Sequence, residues 1–223
     1  MNNKILILGS NPETAPLVKQ ANRKGLTTFV IGLEKKSIAK DIAHYPIMGD
    51  ASDAKLVKKI LEQNNIKALM IGTVDVLLST YEKVCREKNL PCFVNKRAIT
   101  AFSNKKNFNK VCKKFGFNQI PDYTSYLTRN NKKLSKDTFP VLVKPVDSGG
   151  GVGAKVCYSN DELKKAVINA KKLSKSNSFI CQDFFLEDDI QIYYTIVNKQ
   201  IFLSSVIDRT TNKDQKKKFP VCI

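Results

Sequence analysis

A chain of 223 residues, 42% hydrophobic and 26% charged, has apolar side chains enough for one large or two small cores. No apolar run approaches the roughly 18–20 residues that cross a bilayer, which excludes a membrane-spanning helix; the opening stretch Met1–Gly9 lacks the apolar core and cleavage site of a secretory signal, so a cytoplasmic protein is expected. Of the 38 basic residues behind the net charge of +18, five are arginine (Arg23, Arg86, Arg97, Arg129, Arg209), and the lysines spread over polar helical faces without the forked guanidinia and exposed aromatics that read bases, so nucleic acid is not the expected partner.

Lys4–Leu8 is a continuous apolar run of strand length ended by Gly9, the pattern of a strand buried on both faces of a parallel sheet. A helix is predicted next, capped by Thr14, with Leu17, Val18 and Ala21 on one face and a stop at Gly25. Strands follow at Thr27–Ile31 and, more weakly, Ala43–Met48; then a helix over 53–64 with Leu56, Val57, Ile60 and Leu61 on one face, a strand at Ala68–Ile71, a helix over 76–88 and a short strand at 91–94. This alternation predicts an open, doubly wound sheet for residues 1–95. The loop Gly9-Ser-Asn-Pro-Glu-Thr14 lacks the further glycines of a dinucleotide fingerprint. Ligands of such sheets bind beyond the carboxyl ends of the strands, which marks Gly9, Ser10, Asn11 and Asp75 as candidates for contact with a second substrate.

Residues 98–116 read as one helix with Phe108, Val111, Cys112 and Phe115 on a stripe, forming a helical connection over 96–120 before the Pro121 turn. Beyond it the pattern is α+β: strands around 123–127, 141–144 and 154–158, a helix over 160–172, and strands from Phe179, Ile190 and Gln200, with polar surface loops at 130–133 and 212–218, the second expected to be disordered. The six cysteines (Cys85, Cys92, Cys112, Cys157, Cys181, Cys222) form no C-x-x-C pair and mostly sit among apolar neighbours, so they read as reduced and structural. The single histidine, His44, has no partner at ligand spacing, and no metal site is expected within the chain.

The residues that carry chemistry lie in Val141-Leu-Val-Lys-Pro-Val-Asp-Ser-Gly-Gly-Gly-Val-Gly153, where a buried strand delivers Lys144 and a glycine loop turns back into another strand. Small residues let backbone N–H groups approach anionic oxygens while an adjacent ammonium adds charge, so phosphate is one natural guest. A glycine-rich hairpin beside a solvated lysine is the other reading of the same residues. The loop is not a Walker A motif: no Gly-Lys-Ser/Thr closes it and a strand follows.

That segment resembles the central motif of ATP-grasp enzymes, in the carbamoyl-phosphate-synthase-like branch. The opening Ile7-Leu-Gly-Ser-Asn-Pro-Glu-Thr-Ala-Pro-Leu17 is similar to the start of the branch's Rossmann-like front domain, and Ser103-Asn-Lys-Lys-Asn-Phe108 through Gly116 and Pro121 matches the helix that begins its grasp region. The resemblance implies a front domain over 1–95, a helical connection carrying Lys105 over 96–120 and an ATP-grasp nucleotide-binding region over 121–223. Lys105 and Lys144 would contact ATP phosphates, and Ser148, Gly149, Gly150, Gly151 and Gly153 would form a mobile lid. Phe179–Asp189 resembles the family's hinge, with departures: Gln182 stands where the first acidic residue is usual, Glu187 replaces a glycine, and Asp189 takes the place of the glutamate that holds ribose hydroxyls. The backbone of Asp183 and Phe185 would read the adenine edge.

The activity implied is that of an ADP-forming carboxylate–amine ligase that works through an acyl phosphate, using ATP and Mg2+, on small-molecule substrates. The family's magnesium-binding segment would fall after Ile223, so the grasp region is expected to be incomplete and activity of this chain alone is left open. A non-catalytic ATP-binding or regulatory subunit of a split ligase, and a basic nucleic-acid-binding protein, are the alternatives; a homodimer or a separate C-terminal half are the expected assemblies.

Overall fold

The computed structural model describes residues 3–130, 133–185 and 189–209, with only the backbone of Asn130, Asp189 and Arg209. The chain divides between Gln119 and Ile120 into two compact units, each taken by itself below.

In the first unit, strands β1 (Lys4–Leu8), β2 (Thr27–Gly32), β3 (Tyr45–Met48) and β4 (Ala68–Ile71) form a parallel sheet in the order β3-β2-β1-β4. Helices α1 (Ala15–Arg23), α2 (Ile38–Asp41) and α3 (Ala54–Gln63) are its crossovers, and α4 (Leu78–Glu87) follows β4. Leu6, Ile7 and Leu8 are fully buried, which explains the unbroken apolar run of β1: Leu6 and Leu8 face one cluster with Phe29, Val57, Ile60 and Tyr81, while Ile7 faces another with Val18, Val30 and Ala39. The parallel doubly wound sheet predicted from the sequence is thus what the residues build.

Three local expectations differ. Thr14 does not cap α1 with its side chain; its hydroxyl donates to Asn11 Oδ1 at 2.7 Å from the end of a short 3-10 turn, and Pro16 opens the helix. Residues 91–94 join no sheet; Leu90 N–H closes the end of α4 on the Cys85 carbonyl, and the Phe93 ring packs tilted against Tyr81 with centroids 5.0 Å apart instead. The single helix expected over 98–116 is two, α5 (Lys96–Phe102) and α6 (Lys105–Lys114), because Asn104 leaves helical geometry and accepts the N–H groups of Lys106 and Asn107 at 3.0 and 3.2 Å.

In the second unit, β5 (Val141–Pro145) lies between β6 (Lys155–Cys157) and β7 (Phe179–Asp183), antiparallel to both. Helix α8 (Asn160–Leu173), capped by the Ser159 hydroxyl, lays Leu163, Ala166 and Ala170 on the face carrying Val141, Val143, Cys157 and Cys181. The expected strand at 123–127 is instead helix α7 (Thr124–Asn130). Its β-branched and aromatic residues serve the edge of β7: Tyr123 N–H donates to the Cys181 carbonyl and Cys181 N–H to Thr124 Oγ1, at 2.8 and 2.9 Å, while Asp122 accepts Thr124 N–H and turns the chain into the helix. Strands β8 (Asp189–Val197) and β9 (Gln200–Arg209) form a separate antiparallel hairpin with a bulge beside Tyr193 and Tyr194. The expected disordered loop at 212–218 lies outside the described residues.

Candidate functional site

Alternation along β5 decides where Lys144 stands. Val141 and Val143 point into the core under α8, so Leu142 and Lys144 emerge on the other face, directly opposite Gln182 and Ile180 of β7. Lys144 and Gln182 are therefore diagonal neighbours, on the order of 7–8 Å apart at the backbone. Ile180 is fully buried, Gln182 is buried and Lys144 is half-buried, so this lysine emerges from a strand face whose neighbouring positions on β7 are shielded from water.

The glycine loop begins one residue past the strand and is anchored at both ends. At its start, the Asp147 carboxylate accepts Lys175 N–H, Ser176 N–H and the Ser176 hydroxyl at 3.2, 3.0 and 2.9 Å, which ties it to the turn after α8. Burial pushes the Asp147 carboxyl up, but hydrogen bonds from Ser174, Ser176 and the two amides outweigh it and hold the group below its ordinary value. At its end, Gly153 has φ +74°, and a Cβ there would stand 2.8 Å from Leu173 Cδ1 and 2.9 Å from Pro145 Cγ. Between the anchors, Val152 N–H donates to Gly149 O and Ala154 N–H to Gly151 O, both at 3.1 Å, and the Ser148 hydroxyl to Val152 O at 2.9 Å. Gly150 and Gly151 have positive φ, while a Cβ on Gly149 or Gly150 would meet nothing within 4 Å. The tip is open to an approaching group and its roots are fixed.

The rest of the predicted hinge is partly committed to the protein itself. Asp183 N–H donates to the Pro121 carbonyl and Phe184 N–H to that of Pro140, at 3.1 and 3.3 Å, so these amides support the strand. The Asp183 carboxylate accepts the Tyr123 hydroxyl at 2.7 Å, a bond that, with burial, pushes the Tyr123 phenol up to about 12. Phe185 is exposed at the end of β7, and the side chain of Asp189 lies outside the described residues. The structure thus gathers Lys144, the glycine loop, Gln182, Asp183 and Phe185 around β5 and β7. The sequence reading assigned no role to Asp147 or Tyr123, because their partners lie 29 and 60 positions away and no local pattern announces them.

In the first unit, Lys105 is the first residue of α6, half-buried, at the helix end that favours anions. The other candidates lie where the strand order reverses, between β1 and β4. Gly9 has φ +96° and turns the chain out of β1. Ser10 is buried, and its hydroxyl donates to Glu34, which holds that carboxyl below its ordinary value together with the Glu34 amide and Lys40 and against burial. Asn11 Nδ2 donates to Thr73 Oγ1 at 2.8 Å and to Glu13 at 2.5 Å, joining the loop after β1 to the loop after β4. Ser10 and Asn11 therefore shape the crevice with their side chains, whereas Asp75 is exposed at its mouth. His44 is a structural residue: its Nδ1 accepts Thr28 N–H at 3.1 Å across β2 and β3. Burial pushes the thiols of Cys85, Cys157 and Cys181 up to about 12, 11 and 12, those of inert core residues.

An open surface cleft of about 350 Å³ lies elsewhere, between α3 and α4; its Lys58 and Lys88 pair with Glu87 and Glu62, a solvated ionic surface. Among the described residues no group of three His, Cys, Asp or Glu side chains could hold a metal ion, and no described helix is long and apolar enough to cross a membrane.

Residues 104–202 match the family model described as carbamoyl-phosphate synthase L chain, ATP binding domain. The formate-dependent phosphoribosylglycinamide formyltransferase of Wolinella succinogenes is 20% identical over 197 residues, covering 87% of this chain and 51% of that protein. That of Corynebacterium glutamicum is 25% identical over 214 residues, covering 94% and 50%. Among solved structures, the L-amino acid ligase from Bacillus licheniformis superposes with a TM-score of 0.72 at 16% identity, over 95% of this chain and 52% of that one. The biotin carboxylase domain of the Hydrogenobacter thermophilus 2-oxoglutarate carboxylase, in complex with MgADP, superposes with a TM-score of 0.75 at 15% identity, over 94% and 51%. The chain spans about half the length of the curated relatives it matches.

Proposed function

We propose that residues 104–202, which match the model described as carbamoyl-phosphate synthase L chain, ATP binding domain, form an ATP-binding region of the ATP-grasp kind, and that this chain binds ATP as the nucleotide-binding half of an ADP-forming carboxylate–amine ligase. The observation that carries the reading is the glycine loop, anchored by Asp147 and by the packing of Gly153, beside Lys144 on a half-buried face. A loop fixed at its roots and open at its tip presents backbone to phosphate oxygens with little ordering left to do on binding.

In this reading Lys144 and the loop residues Ser148, Gly149, Gly150, Gly151 and Gly153 hold the phosphates, and the phosphate contact that the resemblance implies for Lys105 is tested by its own substitution. Gln182 and the backbone around Asp183 and Phe185 meet the base, and Asp189 the ribose. The carboxylate of the acid substrate attacks the γ-phosphorus, ADP leaves, and the amine then displaces phosphate from the acyl phosphate. The contribution of Lys144 is to neutralise charge on the phosphates during transfer, that of the loop to exclude water. The crevice at Gly9, Ser10, Asn11 and Asp75 receives the second substrate. Magnesium accompanies ATP in such chemistry; among the described residues no group of three His, Cys, Asp or Glu side chains could hold it.

The test is thermal unfolding with and without Mg·ATP, on the wild type, Lys144→Ala and Lys105→Ala. At a nucleotide concentration of about 100 Kd the wild type gains roughly 2.7 kcal/mol, and the gain is lost in Lys144→Ala. An equal gain in wild type and Lys144→Ala would sink the assignment of this lysine, and none in any protein would sink ATP binding by the chain.

A further inference from the structure

Gln182, the fourth residue of β7, is only 9% exposed, and among the described residues no hydrogen bond reaches its side-chain amide. An amide carries two N–H donors and a carbonyl acceptor, and burial takes away the water that would otherwise answer them. Its neighbours do not replace that water. Leu142, directly across on β5, and Ile180, two positions back on the same face of β7, are apolar. Lys144, the diagonal neighbour, has an ammonium that only donates and offers nothing to Nε2. On the other edge Asp122 bridges Gln182, but its carboxylate accepts Thr124 N–H at 2.7 Å. A buried amide that the surrounding strands leave unanswered points to a ligand group of matching pattern.

The backbone beside it is already engaged. Asp183 N–H and Phe184 N–H donate to the Pro121 and Pro140 carbonyls at 3.1 and 3.3 Å, so the two amides that follow Gln182 serve the protein. Reading of a base therefore falls to the Gln182 side chain, on the strand face that also carries Lys144. Its acceptor and donor stand side by side, the complement of the N6 amino group and N7 of adenine. Guanine presents two acceptors along that edge, O6 and N7, and would set a carbonyl against the glutamine oxygen. We propose that Gln182 is a specificity-determining residue that reads adenine bidentately, Oε1 accepting an N6 hydrogen and Nε2 donating to N7, and that it thereby selects ATP over GTP. The proposal rests on the ATP reading of the preceding section and deepens it by naming the atoms of the base that are read. An ionised carboxylate at this position has the shape of the amide but no donor, so the N7 contact belongs to the amide alone.

The experiment titrates the full 223-residue chain by calorimetry with Mg·ATP, Mg·GTP and Mg·7-deaza-ATP, in which a C–H replaces N7, on the wild type, Gln182→Glu and Gln182→Met. The wild type is expected to bind ATP about tenfold more tightly than either other nucleotide, the factor that one good hydrogen bond to a buried partner supplies. Both variants are expected to bind ATP about tenfold more weakly and to hold ATP and 7-deaza-ATP within about twofold of each other. Gln182→Met, apolar and of similar length, keeps the comparison open where an anion at this buried place unfolds the chain. Equal wild-type affinity for ATP and either other nucleotide would overturn the proposal and leave the ATP reading standing. So would a preference for ATP over 7-deaza-ATP that persists in Gln182→Met, because the donor to N7 would then lie elsewhere. Absence of binding by all three nucleotides would overturn the ATP reading and this proposal with it.

Discussion

Two glycines of one loop, Gly149 and Gly153, have different reasons to be glycine, and alanine separates them. At Gly153 the backbone sits at φ +74°, which costs a side-chain-bearing residue about 1–2 kcal/mol. The added methyl would also stand 2.8 Å from Leu173 Cδ1 and 2.9 Å from Pro145 Cγ; the leucine terminus can turn away, but the proline ring is fixed by β5, so overpacking adds about 1–3 kcal/mol. Gly153→Ala is therefore expected to destabilise the second unit by about 2–5 kcal/mol, a fall of roughly 10–30 °C in Tm for a unit of that size. At Gly149 the backbone needs no positive φ and a Cβ meets nothing within 4 Å, so Gly149→Ala changes stability by no more than about 0.5 kcal/mol. It should nevertheless weaken Mg·ATP binding about tenfold by placing a methyl where phosphate approaches the backbone. Urea unfolding followed by circular dichroism reads the first quantity, and nucleotide titration by calorimetry the second. An unchanged unfolding midpoint for Gly153→Ala would refute the packing argument, and wild-type affinity in Gly149→Ala would refute the backbone cradle.

Other expectations follow from the hydrogen-bonded polar groups. Asp147, whose carboxyl is held below its ordinary 3.8, contributes stability that is complete above that value and is lost as pH falls through the lower folded value. Asp147→Asn should cost about 1–2 kcal/mol at neutral pH and remove that acid limb from a series of urea unfolding curves taken down to about pH 2. Tyr123, pushed up from 10.0 to about 12, holds its proton more tightly in the fold, so its contribution is complete below pH 10.0 and is lost as pH rises through about 12. The ultraviolet phenolate titration of Tyr123→Phe should lack one transition near 12 that the wild type shows; identical curves would dissociate the Tyr123–Asp183 bond from the titration. Buried Lys40 donates to Gly32 O and Glu34 O at 2.9 and 2.6 Å, and Lys40→Met, which strands both carbonyls, should destabilise the first unit by about 2–3 kcal/mol in thermal unfolding.

Where a property is local, the sequence carried it. The fully buried run of β1, the apolar face of α3, and the strand–lysine–glycine order at Lys144 are written in adjacent residues, and the structure builds each of them. Where residues answer to distant partners, local pattern failed. Tyr123-Thr-Ser-Tyr-Leu127 has the composition of a strand, yet its hydroxyls and amides are claimed by Cys181 and Asp183 of β7, and the chain beyond Asp122 becomes helical. Asn104 broke an apparent helix because a side-chain oxygen competing for two amides outweighs the stripe of Phe108, Val111 and Phe115.

The same distinction explains which candidate site residues were legible. Lys144 could be found because alternation along β5 is a local rule: with Val141 and Val143 buried, it must emerge on the face shared with Gln182. Whether the loop that follows can receive phosphate depends instead on being held, and both anchors come from the far end of α8, at Leu173 and at Lys175–Ser176. Helix α8 thus has two tasks in one element. Its apolar face builds the core beneath β5, and its C-terminal end fixes the roots of the loop above that strand. A substitution that loosens the packing of the C-terminal end of α8 should therefore cost nucleotide affinity even where it leaves the core intact, and Leu173→Ala is the mildest such change. It removes a packing partner of the Gly153 turn on a side chain that is itself 44% exposed, so a stability loss under about 1.5 kcal/mol accompanied by a clear loss of Mg·ATP affinity would separate the two tasks. Equal losses in both would make the helix a core element alone.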